Sequence, residues 1–287
     1  MGYTSFIPGD EWVYFKLYCG AKSSNGILID LIEPLVKYLE NKNIIDKWFF
    51  VRYTDPEYHI RIRFHASSLN KVSSIFRIFY SSITPFHSMG VIQKLVFDTY
   101  SRELERYGFD AMPLAEDYFY YNSRFVLLMI DQIQDDAKVL VLTIRYLDRF
   151  LEAFGFNLQT KEEFFSKLAE GFGKEFQMDS VLRREIGQRF RADRNRIETA
   201  LVNQSVGVPE IYSHIDKNIF DLSSTIKAVA KLYGEKNDVL NDILSSYVHM
   251  FLNRVHVDNW RYKEMILYHM AWHHYRSQIA KATYVST

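Results

Sequence analysis

Residues 47–64, KWFFVRYTDPEYHIRIRF, leave few folds open. Two apolar runs flank the segment Thr-Asp-Pro-Glu. In the second run Ile60, Ile62 and Phe64 alternate with His59, Arg61, Arg63 and His65. Residues two apart in a strand share a face, so this period describes a strand with one apolar and one basic side. Asp55-Pro56 supplies the turn, because proline presets its own backbone angle. The expected product is an antiparallel hairpin.

The elements around it follow by the same reasoning. Residues 11–19, EWVYFKLYC, read as a first strand, and 23–43 as a helix. Ile27, Leu28, Leu31, Ile32, Leu35, Val36 and Leu39 recur at helical spacing there. Pro34 interrupts the pattern, which predicts a kink or a helix that starts at that point. Residues 68–84 read as helical, 90–108 begin strand-like and end polar, and 113–133 form a helix with a thick apolar face. Beyond residue 134 helices are expected over 136–153, 160–170, 179–202, 217–234, 238–256 and 260–281. The stretch NQSVGVPEIYSH reads as a loop from its glycine and proline. Strands come early and helices late. The fold class is therefore α+β: N-terminal antiparallel strands including a hairpin, then a mainly helical C-terminal half, with 1–287 read as one domain.

Composition removes several function classes. The chain of 287 residues carries 35 basic and 35 acidic side chains. A net charge of zero gives no general hold on nucleic acid or an anionic membrane. Cys19 is the single cysteine, which excludes an intramolecular disulfide and a thiolate metal cluster, and fits a reducing cytoplasm. No apolar run reaches the roughly 18 residues of a membrane-spanning helix, and no secretory signal opens the chain. The P-loop, the dinucleotide-binding glycine pattern and the GxSxG elbow are missing. His273 and His274 are adjacent and so diverge on a helix, which makes them poor joint metal ligands. No metal and no organic cofactor is expected.

Three constellations carry chemistry. The first is the stripe of His59, Arg61 and Arg63. By spacing alone it suits a solvent-facing strand side, or a grip on an anionic ligand, since arginine holds carboxylates in a fixed fork. The second is DTYSRELERYG, where Glu103 and Arg106 lie three apart and can form a surface ion pair or face one site together, with Tyr100 and Tyr107 beside them. The third is SSYVHMFLNRVHVDNW. His249 and Asn253 are four apart among apolar residues, which suits a satisfied core histidine or an acid–base group.

Taken in order, WFFVRYTDPEYHIRIRF, YSRELERYG and YVHMFLNRV resemble the C-terminal elimination domain of class I lantibiotic dehydratases, and the related stand-alone proteins of thiopeptide pathways. The similarity runs through nearly the whole chain, to EMILYHMAWHHYRS. One departure is local: the family often has two glycines after Arg-Tyr, whereas here Gly108 is followed by Phe109.

The resemblance implies β-elimination of glutamate from glutamylated Ser or Thr of a ribosomally made precursor peptide, giving dehydroalanine or dehydrobutyrine. It implies catalytic roles for Arg61, Arg63, Arg106, Glu103 and His249. Arg61, Arg63 and Arg106 would bind the glutamyl carboxylates and the negative charge of the transition state, Glu103 would orient Arg106, and His249 would be the acid–base group. His59, Tyr107, Asn253 and Arg254 are candidate substrate-binding residues. A separate glutamyl-tRNA-dependent enzyme would supply the glutamyl ester, and full-length relatives imply a homodimer. The same resemblance covers pyridine synthases, which join two dehydroalanines by a formal [4+2] cycloaddition and expel the leader. A non-catalytic subunit that binds the precursor peptide is the third alternative.

Overall fold

A computed structural model describes residues 4–202, 209–234 and 237–285. The chain divides into two compact units. One comprises Met1–Asp131 with Met250–Asp258, the other Gln132–His249 with Asn259–Thr287.

The first unit is built on a four-stranded antiparallel sheet. Strand β1 (Ser5–Phe6) is short, and β2 (Trp12–Cys19) follows it. After a 3₁₀ turn come α1 (Ser24–Gly26), a π-helical turn over Ile27–Ile32, and α2 (Glu33–Asn41). Pro34 falls in the first turn of α2, where its missing N–H costs nothing, so a new helical segment starts there. The hairpin then forms from β3 (Ile45–Tyr53) and β4 (His59–Ala66), paired antiparallel. Helix α3 (Val72–Ser88) precedes β5 (Ile92–Asp98) and β6 (Tyr100–Ser101). The sheet order is β3-β4-β2-β5, and β1 pairs with β6 in a separate ribbon.

The period of two places Val13, Phe15, Leu17, Ile60, Ile62 and Phe64 on one face, all buried. Phe15 stacks on Phe79 of α3 with ring centroids 4.0 Å apart. Burial of each such side chain contributes about 1.5–3 kcal/mol, and this face is what fixes the register. The opposite face carries Tyr14, Lys16, Tyr18, Phe49, His59, Arg61 and Arg63.

The outer edge of β3 is closed by side chains. Helices α4 (Leu104–Tyr107) and α5 (Met112–Gln132) complete this part of the chain. Phe50 N donates to Ser123 Oγ of α5 at 3.3 Å. Asn253 accepts from Arg52 N at 3.0 Å and donates to Arg52 O at 2.9 Å, as a neighbouring strand would. Arg254 Nε donates to Phe50 O at 2.7 Å, and Arg52 Nε to Arg254 O at 2.9 Å. An edge satisfied in this way no longer templates another chain.

The second unit is helical. Helix α6 (Asp136–Ala153) is capped by Asp135, and α7 (Leu158–Glu175) by a capping box of Asn157 and Thr160. Helices α8 (Ser180–Val202), α9 (Pro209–Asp221), α10 (Ser223–Tyr233), α11 (Asn237–Val255) and α12 (Trp260–Val285) follow. The last six residues of α11, 250–255, which reach the edge of β3, belong to the first unit, and its length up to His249 to the second. Helix α12 lies along α7 and α8. Lys161 pairs with Asp148 at 2.6 Å, and Tyr275 donates to the same carboxylate at 2.9 Å.

Two helical expectations need correction. The loop read over NQSVGVPEIYSH falls partly at 203–208, outside the described residues. From Pro209 the chain is helical, because proline at a helix start is an initiator and not a breaker. The helix read over 217–234 is two, divided at Leu222, which is fully buried.

Candidate active site

On the sheet, Arg61 lies with its guanidinium 3.4 Å above the ring of Tyr53. Its Nε donates to His59 Nε2 at 3.1 Å, and His59 Nδ1 lies 2.8 Å from Glu57 O. That arrangement needs a neutral imidazole, with its proton on Nδ1 and its lone pair on Nε2. Burial, opposed by the Glu57 carbonyl and reinforced by Arg61 and Lys16, lowers the His59 pKa. The ring is buried and stacked on Tyr18 at 4.6 Å. His59 is thus the third member of the stripe in position, and it serves as a hydrogen-bond support for Arg61.

Arg63 is enclosed more fully. Its guanidinium is 4.3 Å from the ring of Tyr14, 4.7 Å from Tyr100 and 5.1 Å from Phe49. Its buried Nε has no hydrogen-bond partner among the described residues. Quadrupoles of three rings offset part of the cost of desolvating the cation. Neither Arg61 nor Arg63 forms an ion pair among the described residues. Lys16, opposite Arg61 in the register, pairs with Asp98, and that hydrogen bond lowers the Asp98 pKa. The basic stripe is therefore not an ordinary solvent-facing side. It is two half-buried guanidinium groups held between aromatic rings.

Glu103 stands at the start of α4 without a capping hydrogen bond from its side chain, and its carboxylate is 3.4 Å from Arg106 NH1. The pair is exposed, at 61% and 43% of the side-chain surface. Tyr107 is buried, edge-on to Phe119, and burial raises its phenol pKa. Gly108 holds φ of +76°, a conformation that favours glycine. Phe109 needs no such angle, so the departure from two glycines leaves this turn intact. Asn253 and Arg254 are buried and spend their side chains on the edge of β3.

In the helical unit His249 meets a group that spacing did not reveal. Its Nδ1 lies 3.0 and 3.2 Å from the two oxygens of Glu264, whose side chain is 0% exposed. Tyr268 OH donates to Glu264 Oε1 at 2.5 Å. Arg261 NH1 is 3.4 Å from Glu264 Oε2, and Arg261 NH2 donates to Glu175 at 2.5 and 2.6 Å. The indole of Trp260 packs edge-on to the imidazole, 4.8 Å away. Residues 261, 264 and 268 lie three and four apart on α12, and that shared face was the available signal. What it lacked was any mark that His249 faces it.

Among the described residues no group of histidine, cysteine or carboxylate side chains could hold a metal ion, and no helix is long and apolar enough to cross a membrane.

The family model for the lantibiotic biosynthesis dehydratase C-terminal region matches residues 12–275, across both units, and the chain belongs to that family. It is 25% identical over 257 residues to the subtilin biosynthesis protein SpaB of Bacillus subtilis, covering 87% of this chain and 24% of that protein. Over 155 residues it is 32% identical to the nisin biosynthesis protein NisB of Lactococcus lactis subsp. lactis, covering 52% of this chain and 15% of that one. The chain thus spans a quarter or less of these relatives. Among solved structures it resembles the tRNA-dependent lantibiotic dehydratase MibB from Microbispora sp. 107891, with a TM-score of 0.72, 16% identity, 96% of this chain and 29% of that one. It also resembles TbtD, the pyridine synthase of thiomuracin biosynthesis, with a TM-score of 0.67, 10% identity, 93% of this chain and 98% of that one. At these identities the likeness shows the fold.

Proposed function

We propose that this chain removes glutamate from glutamylated Ser or Thr residues of a ribosomally made peptide. The observation that carries this reading is the pair Arg61 and Arg63, two fixed guanidinium groups with no carboxylate of the protein on them. Such groups suit an anionic substrate, and bidentate binding of a carboxylate is what their planar fork does best. Their aromatic surroundings hold them in place before substrate arrives, so little reorganisation is needed. In the reaction a base takes the Cα proton, the Cβ–O bond breaks, and glutamate leaves as its carboxylate. His249 is the acid–base group in this reading. Arg106 with Glu103 gives further cationic support, and no cofactor is required by the chemistry. Family membership, and the match of residues 12–275 across both units, support treating 1–287 as one module. A separate enzyme would make the glutamyl ester, and a homodimer and a cytoplasmic setting belong to the same proposal.

The test uses a synthetic peptide carrying a glutamyl ester on one Ser. Mass spectrometry should show loss of glutamate and a dehydroalanine. An unchanged ester after incubation with the folded chain would sink the proposal. The second reading, a pyridine synthase, is favoured by one observation: the fold of TbtD is matched over 98% of its length. A dehydrated peptide would then be converted to a macrocycle with release of its leader, and the glutamylated peptide would not react.

A further inference from the structure

We infer that Glu264 is a positioning residue, which fixes the imidazole of His249 as the tautomer with its proton on Nδ1 and its lone pair on Nε2. This rests on the reading of His249 as the acid–base group, and it concerns how the helical unit prepares that group.

An ionised carboxylate only accepts hydrogen bonds. With its oxygens 3.0 and 3.2 Å from Nδ1, Glu264 can pair with the ring only if Nδ1 carries a proton. In the neutral ring that leaves the lone pair on Nε2, which has no hydrogen-bond partner among the described residues. Free imidazole side chains favour the other tautomer, so the carboxylate reverses the ordinary preference.

Glu264 is itself tightly located. Being fully buried, it needs compensating partners. Tyr268 donates at 2.5 Å, and Arg261 NH1 stands 3.4 Å from Oε2 and 3.3 Å from His249 Nδ1, its far end held by Glu175; the carboxylate, at 3.0 Å, is the nearer partner of Nδ1 and sets its proton. Trp260 closes one side of the imidazole at 4.8 Å. Ring, carboxylate, phenol and guanidinium thus form a set of fixed groups ending at Nε2 of a side chain that is 22% exposed. The logic is that of a carboxylate behind a catalytic histidine, where the acid selects tautomer and orientation and stays ionised.

The test is the ¹⁵N spectrum of the ring nitrogens, assigned with His249→Gln, read above the imidazole titration. The wild-type chain should show a protonated Nδ1 and a bare Nε2. Glu264→Gln can donate its amide to Nδ1, so the proton should move towards Nε2. Glutamate release should fall on the order of 10²-fold in kcat, the low end of what a placed acid–base group contributes, with KM little changed. Glu264→Asp should restore part of both signals. A proton on Nε2 in the wild type, or a spectrum unmoved by Glu264→Gln, would overturn the inference even if the variant proved unstable. If the wild type released no glutamate while the ring behaved as described, the elimination reading would fail and the positioning role would stand.

Discussion

On the sheet, Arg61 and Arg63 rest against Tyr53, Tyr14, Tyr100 and Phe49, with no carboxylate of the protein to neutralise them. In the helical unit, Arg261 stands between Glu175 and Glu264, and His249 sits on the second of these. The first arrangement keeps positive charge unspent and rigid, which suits an anion that arrives from outside. The second compensates its charges internally and leaves a single nitrogen free, which suits proton transfer. The proposed elimination asks for both kinds of group, one that holds a carboxylate and one that carries a proton, and each unit considered by itself contains one of them.

The sharpest way to break this contrast is His249→Ala. Removing the proton-transfer group should cost about 10²–10⁴ in kcat for glutamate release from a pre-glutamylated peptide. A rate within a few-fold of wild type would end the assignment. Arg63→Lys tests the other side, since it keeps the charge and loses the fork. We expect a loss of about 10²–10³, by the scale seen for single charge-stabilising donors. If lysine served equally well, Arg63 would be a general cation and not a carboxylate grip.

The next effect is on stability. Asn253→Ala strands both Arg52 N and Arg52 O at the edge of β3 and should cost about 1–3 kcal/mol in urea denaturation. An unchanged midpoint would show that water replaces the side chain there.

Acid tests the packing of the helical unit. Burial, the first cause for both, lowers the pKa of His269 and of His274 from 6.5 to about 4. Between these values the unfolded chain binds more protons than the folded one, so stability increases with pH in that window. Their contribution is complete above pH 6.5 and lost as pH falls to about 4. His274→Asn should flatten the dependence measured by urea melts between pH 7 and 4.5, and an equal slope in both proteins would refute this.

The smallest effect belongs to Glu103→Gln. Its pair with Arg106 is exposed, so the change in stability should stay below about 1 kcal/mol. A larger loss by thermal denaturation would mean the pair is not the surface contact described.

Much of the sheet was legible because its signals are local. Alternation in 59–65 fixes both faces of β4, and Asp55-Pro56 fixes where the hairpin reverses. Helix α6 was expected over 136–153 and is found there, with Asp135 as its cap. What spacing could not show is what arrives from far along the chain. Glu264 is 15 residues from His249, beyond the end of α11, and no period links them. Tyr14, Phe49 and Tyr100 meet at Arg63 from three separate strands. His59 was read from its spacing as one more cation, whereas Tyr18 and Glu57 make it a neutral support. The division at Leu222 had no glycine or proline to announce it.

Trp260 carries one more consequence. A protonated imidazole quenches the emission of an indole against which it packs, and the ring of His249 is 4.8 Å from that of Trp260. The chain thus contains its own optical indicator. Fluorescence followed through a pH titration, and compared with a Trp260→Phe variant, would let the charge on His249 be watched without a label and without a substrate.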